Sequence, residues 1–401
     1  MNIRTKCLSC KKKSLNEIVN LGLHSFADRF VPRNKLNLAD PLFPLILDLC
    51  NKCGFIQSRV KTNPKERYAD INYSYTSSNS KYARDHWDEF AKFLENKYGI
   101  KNKKILEIGS NDGYLCQILN KKGAFTLGVD ASEFMTNLSR KRKVRSINTI
   151  FNFKESKKIK KKFNNFDIII ANNVFNHSDS PSDFLKGVFN LLDNDGIYVF
   201  EQPDFAIGAL TLKFDQIYHE HVSYFTFKNI KSFLKNNNFK LINIMKNGYH
   251  GGSLRSVAVK KTSQKYTPNY NSKSFEKYNK IYNKNFFKRM MNKINKKRSL
   301  LLKKINFIKQ KNFTICGIGA GAKANTFLTY YSLDNNFVKF LTDSSKFKQN
   351  KFTPLTRIII KDDSEIRKYK KIACIILSWN ISTLVIKKIK TINKHLKILY
   401  T

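Results

Sequence analysis

Long apolar segments are missing from this sequence: no hydrophobic run approaches the roughly 20 residues that a helix needs to cross a membrane. The first ten residues contain no apolar stretch of the kind found in signal peptides. Acidic residues are scarce, since 30 Asp and Glu stand against 74 Lys and Arg. No short-period repeat is present. These absences argue against a membrane protein and a repeat protein, and we expect a cytoplasmic chain.

The formal net charge of +44 would suit binding to nucleic acid or acidic lipid. However, the basic residues are spread along the whole chain. The dense clusters at 157–162 and 284–304 have apolar residues between the lysines, as solvated helix faces do. The interleaving of aromatic and basic residues that is typical of RNA-binding surfaces is not evident. We therefore expect neither nucleic acid nor a membrane as partner, and the charge favours an anionic small substrate.

The order of predicted elements indicates an α/β chain of three parts. Its 401 residues and hydrophobic share of 41% suffice for two or three cores. Strands alternate with helices, as in parallel, doubly wound sheets. The predicted strands are 104–108, 126–130, 166–171, 197–200, 239–245, 254–259, 313–317, 337–343 and 372–377. A turn is predicted at 194–196 and one long basic helix at 273–307. The expected parts are 1–70, 71–262 and 263–401, of which the last two are Rossmann-like.

Four of the seven cysteines form two C-x-x-C pairs, Cys7 with Cys10 and Cys50 with Cys53. Two such pairs can present four thiolates tetrahedrally to Zn²⁺. Two disulfides would need an oxidising compartment, and a redox C-x-x-C would need a strand before it and a helix after it. The sequence therefore predicts a structural zinc in an N-terminal zinc-binding module. Four cysteine ligands leave no open position for catalysis.

Residues 107–113, with the sequence EIGSNDG, follow a strand and precede a helix, where Rossmann-like folds bind a nucleotide. The acidic Asp112 would repel a pyrophosphate at the helix N-terminus but would suit the cationic amino group of S-adenosylmethionine. Asp130 ends the next strand, where a carboxylate can accept both ribose hydroxyls. Helix capping by Asp112 is the alternative. The predicted S-adenosylmethionine-binding residues are Glu107, Gly109, Asn111, Asp112, Gly113, Asp130 and Asn172.

Titratable side chains cluster at 218–221, with the sequence YHEH, shortly after the strand that ends at Phe200. Such groups just past the carboxyl edge of a strand suit acid–base chemistry, although the His-x-His pattern could also ligate a metal. His177, after another strand, and His250, in a later turn, could point toward the same cleft. The pattern favours a catalytic site over structural histidines.

Taken in order, these motifs resemble the deoxysugar C-methyltransferase family, whose members methylate C3 of dTDP-linked 4-keto sugars. The similarity extends over nearly the whole chain. It is carried by the cysteine pairs, YSYTSS at 73–78, EIGSNDG at 107–113, NVFNH at 173–177, YHEH at 218–221, HGGSLR at 250–255 and GIGAGAKANT at 317–326. Asp343 and residues 348–354 also fit the family's C-terminal pattern. Gly321 departs from it, because proline is expected there in many relatives.

The resemblance implies a zinc-binding module, a Rossmann-like S-adenosylmethionine-dependent methyltransferase domain and a second Rossmann-like domain. It also implies that His221 removes the proton beside the keto group, with Tyr218, Glu220 and His177 as its partners. The implied substrate is a nucleotide-linked keto sugar, dTDP-linked in the family, and the implied cofactors are S-adenosylmethionine and structural Zn²⁺. The substrate-binding residues expected on this basis are Tyr73, Tyr75, Ser77, Arg255 and Lys323, with the choice between the two tyrosines open.

Two other interpretations stay open at this point. A zinc-containing RNA methyltransferase is suggested by the charge and the cysteines, although no motif for a target-base pocket is evident. The second interpretation is a zinc-containing nucleic-acid-binding protein without catalysis. The cofactor loop and the 218–221 cluster argue against it. The second glycine loop, 317–321 with Lys323, contains no acid and could receive a pyrophosphate. Its retention for packing alone is an equal alternative.

Overall fold

The computed structural model of the protein describes residues 2–69 and 76–400. Tyr73 and Tyr75, expected to contact substrate, lie outside the described residues. The strands are β1 (Leu15–His24), β2 (Phe43–Cys50), β3 (Ile56–Ser58), β4 (Lys104–Ile108), β5 (Phe125–Asp130), β6 (Ser146–Asn148), β7 (Phe166–Ile170), β8 (Leu192–Pro203), β9 (Ser223–Tyr224), β10 (Phe239–Asn247), β11 (Ser253–Lys260), β12 (Thr314–Ile318), β13 (Phe340–Thr342), β14 (Ile360–Lys361), β15 (Ile372–Ile376) and β16 (Lys397–Leu399).

The α-helices of the described part are α1 (Lys81–Tyr98), α2 (Tyr114–Lys121), α3 (Glu133–Lys141), α4 (Phe153–Phe163), α5 (Pro181–Leu191), α6 (Phe205–Leu210), α7 (Phe227–Asn236), α8 (Lys284–Gln310), α9 (Ala322–Tyr331) and α10 (Ser382–Ile392). Shorter 3₁₀ or π-helical turns are Arg33–Lys35, Lys65–Ala69, Phe175–His177, Phe214–Gln216, Tyr249–Gly251, Ser272–Tyr282, Asp363–Lys368 and Trp379–Ile381. Within residues 2–69 and 76–400, no helix has both the length and the apolar composition needed to cross a membrane.

The central sheet has seven strands in the order β10-β11-β8-β7-β4-β5-β6. Strands β4 to β8 run parallel, and β11 and β10 extend one edge antiparallel. The chain order reverses between β4 and β7, which opens a crevice at the carboxyl ends of these strands, where doubly wound sheets bind ligands. The glycine loop 109–113 follows β4 and Asn172 follows shortly after β7. Both therefore lie at this crevice.

The C-terminal sheet is parallel, in the order β14-β13-β12-β15-β16. Its order reverses between β12 and β15, so the second glycine loop and residues 377–380 form the crevice of this domain. The two Rossmann-like units predicted from the sequence are thus both present, and each presents a ligand-binding edge.

The N-terminal sheet joins segments that are distant in the sequence. Strands β1, β2 and β3 pair antiparallel, and the fourth strand, β9, comes from the central part of the chain. Leu45 and Leu47 of β2 lie in one buried hydrophobic cluster with Ile305 of α8 and Phe327 of α9. The N-terminal part therefore packs against both α/β units.

Helix α1 follows directly from its local sequence. Ser80 is extended and its side chain accepts a hydrogen bond from the Ala83 N–H at 3.1 Å, which caps the helix. Gly99, with a φ of 62°, ends it. The buried face consists of Ala83, Trp87, Phe90, Ala91 and Leu94, at helical spacing. The helix thereby fixes residues 76–80 beside the cofactor loop.

Three predicted elements differ from the structure. Residues 194–196, predicted as a turn, belong to β8, whose pairing with β7 is irregular at that end. The helix predicted at 273–307 begins only at Lys284, because Asn283 is extended and its side chain caps the Asn285 N–H at 2.8 Å. The strand predicted at 337–343 is shortened to β13, because residues 334–338 form a turn with backbone hydrogen bonds of their own.

Candidate functional site

The four paired cysteines converge in the N-terminal part. Their sulfur atoms all lie within 4.8 Å of one another. The Cys7 and Cys53 sulfurs are 3.6 Å apart, as are those of Cys10 and Cys50. Thiolates about 2.3 Å from a tetrahedral Zn²⁺ would be about 3.8 Å apart, so the donor set fits zinc. Gly54, at a φ of 71°, donates its N–H to the Cys50 carbonyl at 2.8 Å and closes the second turn.

A cavity of about 530 Å³ lies where the three parts of the chain meet. The N-terminal part contributes Asp28 and Tyr68 to its wall, and the C-terminal part contributes Lys323. From the central part come Glu107, Gly109, Asn111, Asp130, Asn172, His177, Tyr218, His221 and His250. The cofactor loop and the predicted catalytic residues therefore face one common space, of a size typical of small-molecule sites.

The cofactor loop is held by its own backbone. Gly109 has a φ of 75°, and a Cβ there would lie 2.8 Å from Val174 Cβ, so a larger residue would be strained. The N–H groups of Asn111 and Ser132 donate to Asp130 Oδ2 and Oδ1, each at 2.8 Å. Burial raises the pKa of Asp130 to about 6, which still leaves it charged at neutral pH. Its remaining lone pairs suit two ribose hydroxyls at the cavity wall.

Two asparagines beside this loop have unsatisfied side chains. The amide nitrogen and oxygen of Asn172 and of Asn173 are buried and have no hydrogen-bond partner among the residues described. Both residues line the cavity. Since buried amides are nearly always paired, these four atoms are available to a polar group that enters the cavity.

Two predicted cofactor residues, Asp112 and Gly113, lie behind the cavity wall. The Asp112 carboxylate accepts hydrogen bonds from the hydroxyls of Ser77 and Ser78 and pairs with Arg142 at 3.2 Å. Its charge thus holds Ser77, an expected substrate residue, against the loop. Gly113 allows α2 to approach the Ser139 side chain closely. The structure therefore gives both residues a part in shaping the site.

Glu107 faces the cavity from the end of β4. Burial raises the pKa of its carboxyl to about 8. The Cys116 thiol donates to Glu107 Oε2 at 3.0 Å. A carboxyl in this setting is ready to pair with a positive ligand group, because such a charge would offset its desolvation.

His221 has the geometry of a neutral base. Its Nδ1 lies 2.9 Å from the carbonyl oxygen of Gln216, which can only accept, so Nδ1 carries the hydrogen and Nε2 keeps its lone pair. Burial, followed by the nearby His177 and Lys323, holds the pKa of His221 well below its usual value. The Tyr218 ring lies 4.0 Å from the His221 ring, between centroids. A phenol and an imidazole thus meet at one wall of the cavity.

Glu220 does not orient His221 in this structure, since the Gln216 carbonyl has that place. Instead, Glu220 Oε1 accepts the N–H of Asp28 at 3.2 Å. Burial and then Asp28 raise the pKa of Glu220 to about 7. The His-x-His pattern does not form a metal site either, because Nε2 of His219 contacts the Phe43 carbonyl at 3.2 Å. The pairing expected between Glu220 and His221 is thus replaced by a backbone contact.

His177 lies beside His221, with ring centroids 5.0 Å apart. Its Nδ1 is 3.1 Å from the Tyr68 hydroxyl, which is also 2.9 Å from the carbonyl oxygen of Glu220. Burial and then the positive charge of Arg67 lower the pKa of His177 to about 3. His177 is therefore neutral at physiological pH.

Lys323 brings a positive charge into the cavity from the first turn of α9. Its Nζ donates to the His250 carbonyl at 3.2 Å. Burial lowers the pKa of Lys323 to about 8, and Asp215 acts in the opposite direction. In the same domain, Asp343 accepts the Ala320 N–H at 2.9 Å, as Asp130 accepts that of Asn111. The second glycine loop thus repeats the geometry of the first.

Arg255 is not brought to the cavity. Its Nε donates to Glu201 at 2.9 Å, and its two Nη atoms contact the Glu89 carboxylate at 3.1 and 2.7 Å. The side chain is 4% exposed. Arg255 therefore ties β11 to β8 and α1, and its predicted contact with substrate has no geometric basis here.

Sequence reasoning did not single out the cavity residues Tyr68 and Asp28, and it named Asp343 only as part of the C-terminal pattern. Tyr68 and Asp28 belong to the N-terminal part, and nothing near them in the sequence marks them, because the fold alone brings that part to the cavity. Asp343 carries a usable signal, since it directly follows a strand of the second unit as Asp130 ends one in the first.

Three family models match the chain in succession. A zinc binding domain matches residues 7–68, a methyltransferase domain residues 79–244, and a C-methyltransferase C-terminal domain residues 248–398. C-methyltransferase NovU of Streptomyces niveus is 21% identical over 378 residues, which cover 94% of this chain and 90% of that protein. A ubiquinone biosynthesis O-methyltransferase of Coxiella burnetii is 26% identical over 110 residues, 27% of this chain and 47% of that protein.

Two methyltransferases are among the solved structures that are similar to part of this chain. Magnesium protoporphyrin IX methyltransferase of Synechocystis PCC 6803, with bound SAH, is 16% identical and covers 44% of this chain and 83% of its own, with a TM-score of 0.36. A SAM-dependent methyltransferase of Anabaena variabilis is 12% identical and covers 47% and 89%, with a TM-score of 0.38.

The matched domains and the site define an S-adenosylmethionine-dependent methyltransferase that carries a structural zinc. More narrowly, the chain belongs to the C-methyltransferase family, whose zinc-binding, methyltransferase and C-terminal domains it contains in order. This confirms the family, the fold class and the two cofactors that the sequence predicted.

Proposed function

We propose that this enzyme methylates C3 of a nucleotide-linked 4-keto-deoxysugar, with His221 as the base that removes the C3 proton. One observation carries the proposal: His221 keeps its Nε2 lone pair and lines the same cavity as the cofactor loop. A base and a methyl donor that share one cavity are what methylation of a carbon requires. The dTDP linkage is the form that we expect from the family resemblance.

The chemistry begins with an acidic C–H bond. A ketone on the neighbouring carbon lets a positioned neutral histidine take that proton. The electron pair of the broken C–H bond passes into an enolate, whose oxygen needs hydrogen-bond donors. Burial raises the pKa of Tyr218, so its hydroxyl keeps the hydrogen to donate. Bound S-adenosylmethionine would supply an electrophilic methyl group for the enolate carbon, and S-adenosylhomocysteine would leave.

Other residues of the chain place the two reactants. Asp130 would accept the ribose hydroxyls of the cofactor, and the unpaired amides of Asn172 and Asn173 would pair with its polar groups. Lys323, at the second glycine loop, is the cation best placed for the diphosphate of a sugar nucleotide.

We further propose domain boundaries near residues 70 and 262, since β11, the last strand of the central sheet, ends at Lys260. A reducing, cytoplasmic setting is part of the proposed function. It is supported by the cysteines, none of which forms a disulfide within the described part of the chain.

The proposed function is tested by incubating the zinc-containing enzyme with methyl-labelled cofactor and a panel of nucleotide-linked 4-keto sugars. Mass spectrometry of the products should show one added methyl group, located at C3 by NMR. Label transferred to RNA and to no sugar nucleotide would favour the RNA methyltransferase instead, and its binding would be salt-sensitive.

A further inference from the structure

Tyr68, which precedes the undescribed segment 70–75, reaches the cavity beside His177. Its hydroxyl lies 2.9 Å from the Glu220 carbonyl oxygen and 3.1 Å from His177 Nδ1. The two rings are stacked, with centroids 5.7 Å apart and planes 19° from parallel. None of the motifs that suggested the active site includes this tyrosine.

The contacts of the Tyr68 hydroxyl with Glu220 and His177 determine where the hydrogen of His177 sits. A carbonyl oxygen only accepts, so the single hydrogen of Tyr68 is donated to Glu220. The Tyr68 oxygen is then an acceptor for His177, which places the imidazole hydrogen on Nδ1. Nε2 of His177 then keeps its lone pair, and His177 lines the cavity.

The N-terminal part holds this arrangement from both sides. Arg67, 1% exposed, pairs with Asp179, and its guanidinium also contacts the His219 carbonyl at 3.4 Å. Arg4 pairs with the other Asp179 oxygen at 2.5 Å. Because Asp179 stands two residues after His177, two buried arginines fix the segment that carries the histidine, next to the tyrosine that contacts it.

We propose that Tyr68 is a positioning residue that fixes the Nδ1–H tautomer of His177, so that His177 Nε2 accepts a hydrogen bond from a hydroxyl group of the substrate. The nature of that substrate rests on the proposed function, whereas the tautomer does not. Neutral His177 then has no hydrogen to donate to the enolate oxygen. That task falls to Tyr218, and His177 orients the sugar instead.

The tautomer is measured directly, without substrate. The full-length zinc-bound protein is labelled with ¹⁵N-histidine, and the His177 signals are identified by their loss in His177→Gln. We expect wild-type His177 to carry its hydrogen on Nδ1, and Tyr68→Phe to shift the population toward the Nε2–H form. A hydrogen on Nε2 in the wild type, or an unchanged tautomer in Tyr68→Phe, would overturn the proposal.

Kinetics then separate positioning from simple structural support. Tyr68→Phe should lower kcat by about 10- to 100-fold, as loss of a partner that orients an active-site histidine does, while zinc content and cofactor affinity stay unchanged. In a His177→Ala background, adding Tyr68→Phe should change the rate by less than about twofold. Tyr330→Phe, which removes a surface hydrogen bond of 2.7 Å to Asn295, is the matched control and should retain full activity.

Failure of the Tyr68 proposal and failure of the proposed function give different results. If Tyr68→Phe causes its full loss in the His177→Ala background as well, Tyr68 does not act through His177 and the proposal is wrong. If the wild-type enzyme methylates no keto sugar, the proposed function fails, and the NMR experiment still decides the tautomer.

Discussion

Ile56 of the N-terminal part and Tyr224, three residues after His221, are paired in one antiparallel sheet. The Ser58 N–H extends this pairing to the Val222 carbonyl at 2.9 Å, and the Val222 N–H reaches the Asn176 carbonyl at 2.9 Å. The segments that carry His177 and His221 are therefore joined to the strand that follows the second cysteine pair.

This connection predicts that losing the zinc disturbs the active site as well as the first domain. Cys50→Ala should abolish the bound metal and unfold the N-terminal sheet, because a structural zinc contributes directly to folding. Metal analysis should find one Zn²⁺ per wild-type chain and none in the variant. Cys374→Ala, which removes a thiol of the C-terminal sheet, should keep its zinc. Full zinc occupancy in Cys50→Ala, or none in wild-type protein purified without chelator, would contradict the assignment.

Asp130 is predicted to bind the cofactor ribose. Asp130→Ala should raise the Kd for S-adenosylmethionine at least about tenfold, because hydrogen bonds to a charged group are worth about 1.5–3 kcal/mol each. Titration calorimetry measures this, and thermal unfolding shows whether the loss of two backbone contacts to Asn111 and Ser132 weakens the fold. Asp193→Ala, at an exposed carboxylate of the same domain, should bind normally. An unchanged affinity for S-adenosylmethionine in Asp130→Ala would show that Asp130 does not bind the ribose.

Much of the architecture was predictable because its signals are local. The apolar run of β4, the glycine loop and the acid that ends β5 lie close together in sequence, and the structure places them as predicted. The two cysteine pairs also form the expected cluster, although more than one strand separates them, because their spacing is itself a metal-ligand pattern.

The partners of individual side chains were less predictable, because they come from distant segments. Arg255 pairs with Glu89 of α1, which is distant from it in the sequence. No residue near Arg255 in the sequence indicates this pairing. His221 is oriented by a backbone carbonyl of Gln216, and carbonyls have no sequence signature. Sequence patterns thus located the site but did not assign each side chain its contact.

Lys323 predicts an upper pH limit for substrate capture. With a pKa lowered to about 8, the side chain is charged below that pH and loses its proton as pH rises through it. The kcat/KM for an anionic substrate should therefore fall above about pH 8. Lys323→Arg stays protonated to higher pH, so the fall in kcat/KM should begin at a higher pH in this variant. Lys323→Met should lower kcat/KM at every pH.

The control for this profile is Lys370→Met, at an exposed lysine of the same domain, whose pH dependence should match the wild type. A high-pH limb that is identical in wild type and Lys323→Arg would show that another group titrates.

Tyr218 is predicted to donate to the developing enolate oxygen. Tyr218→Phe should lower kcat by about 10²–10³, the usual effect of removing one donor to an oxyanion, with little change in KM. Tyr224→Phe, whose hydroxyl points to the Tyr218 carbonyl at 3.4 Å, should have a much smaller effect. Steady-state rates that fall equally in both variants would indicate a packing effect instead.

The most direct test of the account is proton exchange by His221, which must precede methyl transfer. The enzyme is incubated with a nucleotide-linked 4-keto sugar in deuterated water, without cofactor, and deuterium at C3 is followed by NMR. We predict exchange with the wild type and none with His221→Ala, which should still bind S-adenosylmethionine because Asp130 and the Gly109 loop are untouched. Near-normal exchange in His221→Ala, or none with wild-type enzyme and any keto sugar, would contradict the assignment of His221 as the base.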